Sequence, residues 1–105
     1  MLKVLSLMKR KEGMSHAEFK NWALNLHPPF AVKLPGLKGY RMNVLLAETP
    51  DSPYDAISEM WFESAEARAA AMATDAGKAA GGDAAANCAS RFHFVAEEKV
   101  VMKGT

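Results

Sequence analysis

Every strand-like segment of this chain carries apolar side chains on both of its faces, yet only two segments read as amphipathic helices able to cover a sheet. In the first segment Leu5 and Leu7 point away from Val4 and Met8; in the third, Ile57 and Trp61 point away from Met60 and Phe62. Two helices can cover one side of a sheet. The other side, left bare, would expose a patch well beyond the few hundred Å² that monomers ordinarily tolerate. Covering apolar area is worth about 25 cal/mol per Å², and two sheets paired about a two-fold axis cover each other. The pattern therefore predicts a homodimer.

The elements can be placed from their punctuation. Leu2 to Met8 is a nearly continuous apolar run, fit for a strand covered on both faces. Gly13 ends it, and Ser15-His16-Ala17-Glu18 supplies a capping box for a helix. Phe19, Trp22, Ala23, Leu26 and Phe30 then fall in one stripe at helical spacing, until Pro28-Pro29 ends or bends the helix. A second strand is predicted over Leu37 to Leu46 and a third over Asp55 to Phe62, separated by a turn cluster from Glu48 to Pro53. Ser64 caps a second helix whose inner face would hold Ala65, Ala69 and Met72. From Asp75 to Ser90 the chain is rich in alanine and glycine; Gly81-Gly82 is expected to break it, with Asp83 capping a short helical piece through Cys88. A last strand is read from Arg91 to Met102.

The order is strand, helix, strand, strand, helix, strand. With right-handed crossovers it yields an α+β fold, ferredoxin-like βαββαβ: a four-stranded antiparallel sheet with two main helices on one face. No linker divides the chain, so residues 1–105 form one domain.

Thirteen basic against twelve acidic residues, for a net charge of +1, with one local basic cluster (Lys3, Lys9, Arg10, Lys11), argue against a nucleic-acid partner. The apolar start is too short for a membrane span. Cys88 stands alone and reads as a small packing residue in a reducing compartment, so a cytoplasmic protein is expected. No histidine pair or cysteine pair has metal-ligand spacing, and no phosphate-binding glycine loop occurs, so neither metal nor other cofactor is expected.

Chemistry would have to come from a few side chains. His27, at the border of the helical stripe, can take and give a proton near neutrality; it can equally cap helix carbonyls before Pro28. Glu59 alternates in phase with Ile57 and Trp61, and burial on an apolar face would raise its pKa and make it a proton carrier; pairing with Arg41 is the structural alternative. Tyr40 and Trp61 offer flat surfaces with polar edges to an organic ligand, or serve as core. Asp83 and Asn87 lie in the alanine-rich segment, either as part of a movable lid or as helix caps. His93, between Phe92 and Phe94, is expected to face solvent.

The chain resembles the EthD-like family of the dimeric α/β-barrel superfamily. The matching features are the opening strand ending in Lys9-Arg10-Lys11, Gly13-Met14-Ser15, Phe19 eight residues before His27-Pro28-Pro29, Leu34-Pro35-Gly36-Leu37 with Tyr40, Glu59-Met60-Trp61-Phe62, and Phe94-Val95-Ala96-Glu97-Glu98. The family commonly has a tryptophan four residues before the histidine; here that position is Ala23 and the tryptophan is Trp22, which implies a wider pocket wall. The resemblance implies a dimeric catabolic protein of the kind tied to ethyl tert-butyl ether or aromatic degradation. It would bind a small apolar organic molecule between sheet and helices, through Trp22, Tyr40, Trp61 and Asn87. His27 and Glu59 would support cofactor-free isomerisation, cyclisation or oxidation. The alternative is a non-catalytic binding protein accessory to an oxygenase.

Overall fold

A computed structural model describes residues 1–104. Its elements are β1 (Leu2–Arg10), α1 (His16–Asn21), a π-helical turn (Trp22–Leu26), α2 (Pro28–Ala31), β2 (Gly39–Val44), β3 (Ala56–Phe62), α3 (Ala65–Met72), α4 (Asp75–Asn87) and β4 (Cys88–Ala96). The strands form one open sheet in the order β2-β3-β1-β4, antiparallel throughout. This is the expected ferredoxin-like sheet, and a single chain does not close it into a barrel. No helix of the described residues is long and apolar enough to cross a membrane.

Val4, Ser6, Met8, Ala56, Ser58 and Phe62 are buried on the helix-covered face. There the core divides in two. Met8, Phe19, Trp22, Ala23, Ala56 and Ala84 form one cluster, and Leu34, Phe62, Ala71 and Ala80 form the other. The opposite face is bare: Phe92 and Phe94, opposite Leu7 and Leu5 in the register, remain 54% and 52% exposed.

The caps read from sequence hold. Ser15 Oγ accepts from the Glu18 N–H at 3.1 Å, Glu18 Oε1 accepts from the Ser15 N–H at 3.1 Å, and Ser64 Oγ accepts from the Ala67 N–H at 3.1 Å. Several readings differ, among them β2, which spans Gly39–Val44 rather than Leu37 to Leu46. β4 spans Cys88–Ala96 rather than Arg91–Met102; its pairing with β1 ends at the Lys3–Ala96 register. In α3 the inward residues are Ala71, with Ala67 beside it, and Met72, which borders the space between sheet and helices, while Ala65 and Ala69 are exposed. α4 runs unbroken through Gly81-Gly82; Thr74 caps it by accepting from the Gly77 N–H at 3.1 Å, and the burial of Gly77, Ala80 and Ala84 offsets the poor helix propensity of glycine.

At Gly77 the helices α3 and α4 touch. A Cβ there would lie 2.5 Å from the Ala71 carbonyl oxygen and 2.5 Å from the Met72 Cα, whereas nothing lies within 4 Å of one at Gly82. Gly77→Ala is therefore expected to destabilise the fold by about 1–3 kcal/mol, since backbone must move. Gly82→Ala should stabilise it by up to about 1 kcal/mol through helix propensity. Midpoints of urea unfolding for the two variants, moving in opposite directions, check this.

Candidate active site

The first helix places its histidine by a change of winding. In a regular α-helix Leu26, four residues after Trp22, would share its buried face. Instead the His27 N–H donates to the Trp22 carbonyl at 2.8 Å, an i to i+5 bond that closes a π turn. Pro28 and Pro29 have no N–H to continue the regular ladder there. The extra residue per turn moves Leu26 out, to 56% exposure, and turns His27 in, to 8%. Such turns are often found at functional sites.

Once inside, His27 is held on several sides. Its ring lies 4.9 Å from that of Trp22 and 6.4 Å from that of Phe30, centroid to centroid. Its Nδ1 is 2.8 Å from Asp83 Oδ2, an oxygen that also accepts from Trp22 Nε1 at 3.0 Å. Asn87 Nδ2 donates to the Asp83 carbonyl at 2.9 Å, fixing that turn of α4. With a carboxylate at Nδ1, the stable neutral tautomer carries its proton there, which leaves the Nε2 lone pair free. Asp83 thus does not cap a broken helix; it orients the histidine.

His27 lines a cavity of about 60 Å³ between sheet and helices. The cavity lies where the two core clusters meet: Met8 and Ala84 come from one, Leu34 and Ala80 from the other. The alanines and Gly81 of α4 leave this space because they have no bulk to fill it. Ser6, Tyr40, Ser58, Arg91 and His93 also line it. Burial pushes the Tyr40 phenol up to about 12, so it stays a neutral hydrogen-bond donor, and its hydroxyl is buried with no partner among the described residues. His93 is exposed, as expected, yet it stands on the helix side opposite Ser6 in the β1–β4 register, with its Nδ1 2.8 Å from Ser6 Oγ. Burial, then the nearby Arg68 and Arg91, lower its pKa and favour the neutral ring.

Glu59 and Trp61 are not part of this cavity. Alternation along β3 sends Ser58 and Met60 to the helix side and Glu59 and Trp61 to the bare face. Glu59 Oε1 pairs with Lys3 Nζ at 2.8 Å, and Oε2 accepts from Asn43 Nδ2 at 3.0 Å. These bonds, Lys3 first, lower its pKa, so the expected raised pKa is corrected and no His27–Glu59 pair forms. Lys3 Nζ sits 4.8 Å above the Trp61 ring and Arg41 Cζ 5.4 Å from it. Trp22 and Asn87 do not line the cavity: Trp22 packs on the His27 ring and bonds Asp83, and Asn87 bonds Asp83. Of the ligand-binding and catalytic residues expected from sequence, the cavity gathers His27 and Tyr40; Ser6, Arg91 and His93 also line it, and Asp83 stands behind His27.

The EthD domain model matches residues 11–91. The chain belongs to the EthD family. An EthD-family relative, the 4-carboxymethyl-4-methylbutenolide mutase of Pseudomonas reinekei, is 32% identical over 87 residues, 75% of this chain and 80% of the relative. An ethyl tert-butyl ether d (EthD) family protein of Bacillus halodurans superposes with a TM-score of 0.78 at 28% identity, covering 94% of this chain and 99% of that one. A dimeric ferredoxin-like protein of Thermobifida fusca shares the fold at a TM-score of 0.72 and 15% identity, over 90% of this chain and 87% of that one.

Proposed function

We propose that the protein is a homodimeric, cofactor-free isomerase of a small, largely apolar lactone, with His27 carrying the proton that the rearrangement moves. The observation that carries this reading is the His27–Asp83 pair: a buried imidazole whose Nδ1 is engaged at 2.8 Å, while the ring borders an apolar cavity with Nε2 unspent. A base so oriented removes a proton and keeps it close enough to return. Similarity to a butenolide mutase supports the substrate class, and the bare apolar sheet face together with dimeric structural neighbours supports the homodimer.

For a butenolide bearing a carboxymethyl arm, the chemistry balances without any co-reactant. His27 Nε2 takes a proton from the arm's methylene, and those electrons form a C=C bond. The ring C–O bond breaks onto the lactone oxygen, leaving an open-chain dicarboxylate. The arm's carboxylate closes on the adjacent former ring carbon, and the proton returns to the carbon beside the other carboxylate. Substrate and product are isomers, and oxidation state is unchanged. Tyr40, a neutral donor in the same cavity, is placed to bond an oxygen of the lactone.

The cavity is small for such a molecule, but Met8, Met60 and Met72 line it. These unbranched side chains can swing aside at little cost. Incubation with 4-carboxymethyl-4-methylbutenolide in D₂O, followed by proton NMR, tests the reading. The expected result is an isomeric lactone carrying deuterium in its new carboxymethyl arm. Neither conversion nor exchange would remove the isomerase reading, and saturable binding without exchange would leave a carrier in its place.

A further inference from the structure

The sheet floor of the cavity is apolar except along one line across three strands. Ser58 on β3, Ser6 on β1 and His93 on β4 stand side by side in the register, and all three border the cavity. On the same face the neighbours of Ser6 along its strand are Val4 and Met8, and those of Ser58 are Ala56 and Met60. Alanine would fill either serine position without bringing a hydroxyl to satisfy.

The two serines differ in what they bond. Ser6 Oγ is engaged, 2.8 Å from His93 Nδ1. Ser58 is only 4% exposed, and its hydroxyl has no hydrogen-bond partner among the described residues. A buried hydroxyl left unpaired destabilises a fold, so its partner is expected from outside the chain. The cavity beside it, about 60 Å³, admits a water or the polar end of a ligand. Nothing charged adjoins Ser58 along this line. Ser6 is neutral, burial and then Arg68 and Arg91 favour the neutral ring of His93, and Arg91 itself is exposed on the edge strand with β1 in between. A lone neutral donor suits a neutral acceptor, because it cannot replace the hydration that an anion would lose. Tyr40, opposite Met60 in the β2–β3 register, is the diagonal neighbour of Ser58 on this face and bounds the place on the β2 side.

We infer that Ser58 donates to the ring carbonyl oxygen of the ligand, so that this oxygen lies on the sheet floor between Tyr40 and Ser6 and the apolar edge of the ring lies toward the small residues of α4. The assignment rests on the proposed site at His27 and adds the group that reads the ligand: a cyclic ester is retained, and a cyclic ether of the same shape is not. It also gives Ser58 a part in the reaction. As the ring C–O bond breaks, negative charge spreads over both lactone oxygens, and a donor already aimed at the carbonyl meets that charge without reorganising.

γ-Valerolactone and 2-methyltetrahydrofuran share a five-membered ring and a methyl group and differ by the carbonyl. Neither has an arm that could rearrange. Titration of each into the ¹⁵N-labelled full-length protein, followed by ¹⁵N–¹H NMR, therefore tests the donor apart from catalysis. The lactone is expected to bind about fivefold more tightly, the worth of one hydrogen bond. Ser58→Ala should remove the difference by weakening the lactone alone, whereas a structural defect would weaken both ligands. Ser58→Cys, a poorer donor of similar size, should keep part of the preference, and His93→Phe should keep all of it. Equal affinity of the two ligands in the unaltered protein, absence of lactone binding with water alone at Ser58, or a preference that survives in Ser58→Ala would each overturn the assignment. A preference lost in His93→Phe instead would overturn it too, by placing the oxygen on Ser6. A protein that reads the lactone through Ser58 but never rearranges 4-carboxymethyl-4-methylbutenolide would keep this donor and lose the isomerase.

Discussion

Replacing His27 by alanine is expected to lower butenolide turnover by about 10²- to 10⁴-fold, the usual worth of a positioned general base. The loss should appear mainly in kcat, because the rest of the cavity wall is untouched. Folding should survive, since Trp22 and Phe19 hold the helix through their own burial. Asp83 acts through the histidine and is a positioning residue. Asp83→Asn keeps the size but offers an amide that no longer favours a proton on Nδ1. Turnover should fall less than in His27→Ala, and the pH profile of kcat should change shape, which a purely structural defect would not produce. Single-turnover kinetics of both variants, with near-ultraviolet dichroism reporting on Trp22, measure the two effects. An unaltered kcat in His27→Ala would take the histidine out of the reaction.

How much of this was legible depends on which physics each residue obeys. Ser15 and Ser64 were readable because capping is local: the side chain meets a backbone N–H three residues on. The order of strands and helices, and hence the sheet, followed from periodicity. His27 was noticed for its residue type, but its inward turn was not legible. A stripe drawn at 100° per residue puts Leu26 inside, and only the π turn ahead of Pro28 exchanges the two.

Glu59 was assigned to the wrong site for a physical reason. Both sheet faces are apolar, so alternation sorts residues into two sets without saying which set meets the helices. Phe92 and Phe94 lie on the bare face, and His93 between them, though exposed, turns to the helix side and meets Ser6. Asp83 did leave a signal. It is the only charged residue between Lys78 and Arg91, beside Ala80 and Ala84 on one side of a small-residue helix, where a lone carboxylate needs a partner. Arg91 left none beyond its position near the start of a strand.

Phe92→Glu combined with Phe94→Glu is expected to convert the dimer into monomers. A phenylalanine buries about 150–250 Å² when fully covered, and each of these keeps roughly half its surface exposed in the single chain. That leaves roughly 100 Å² per ring to be covered by a partner. Two-fold symmetry counts every residue twice, so four rings contribute about 10 kcal/mol of gross burial at ~25 cal/mol per Å². This is comparable to the whole cost of association, about 4–15 kcal/mol. The new carboxylates would also face Leu5 and Leu7 on β1, where no cation is opposite them. Because β4 alternates, the substitutions lie on the far side of the sheet from His27, and the His27–Asp83 pair should form as before. Sedimentation equilibrium at micromolar concentration checks the assembly, and the dichroism of Trp22 checks the core. A double variant that still sediments as a dimer would show that the two copies meet elsewhere. The bare face would then need a different cover.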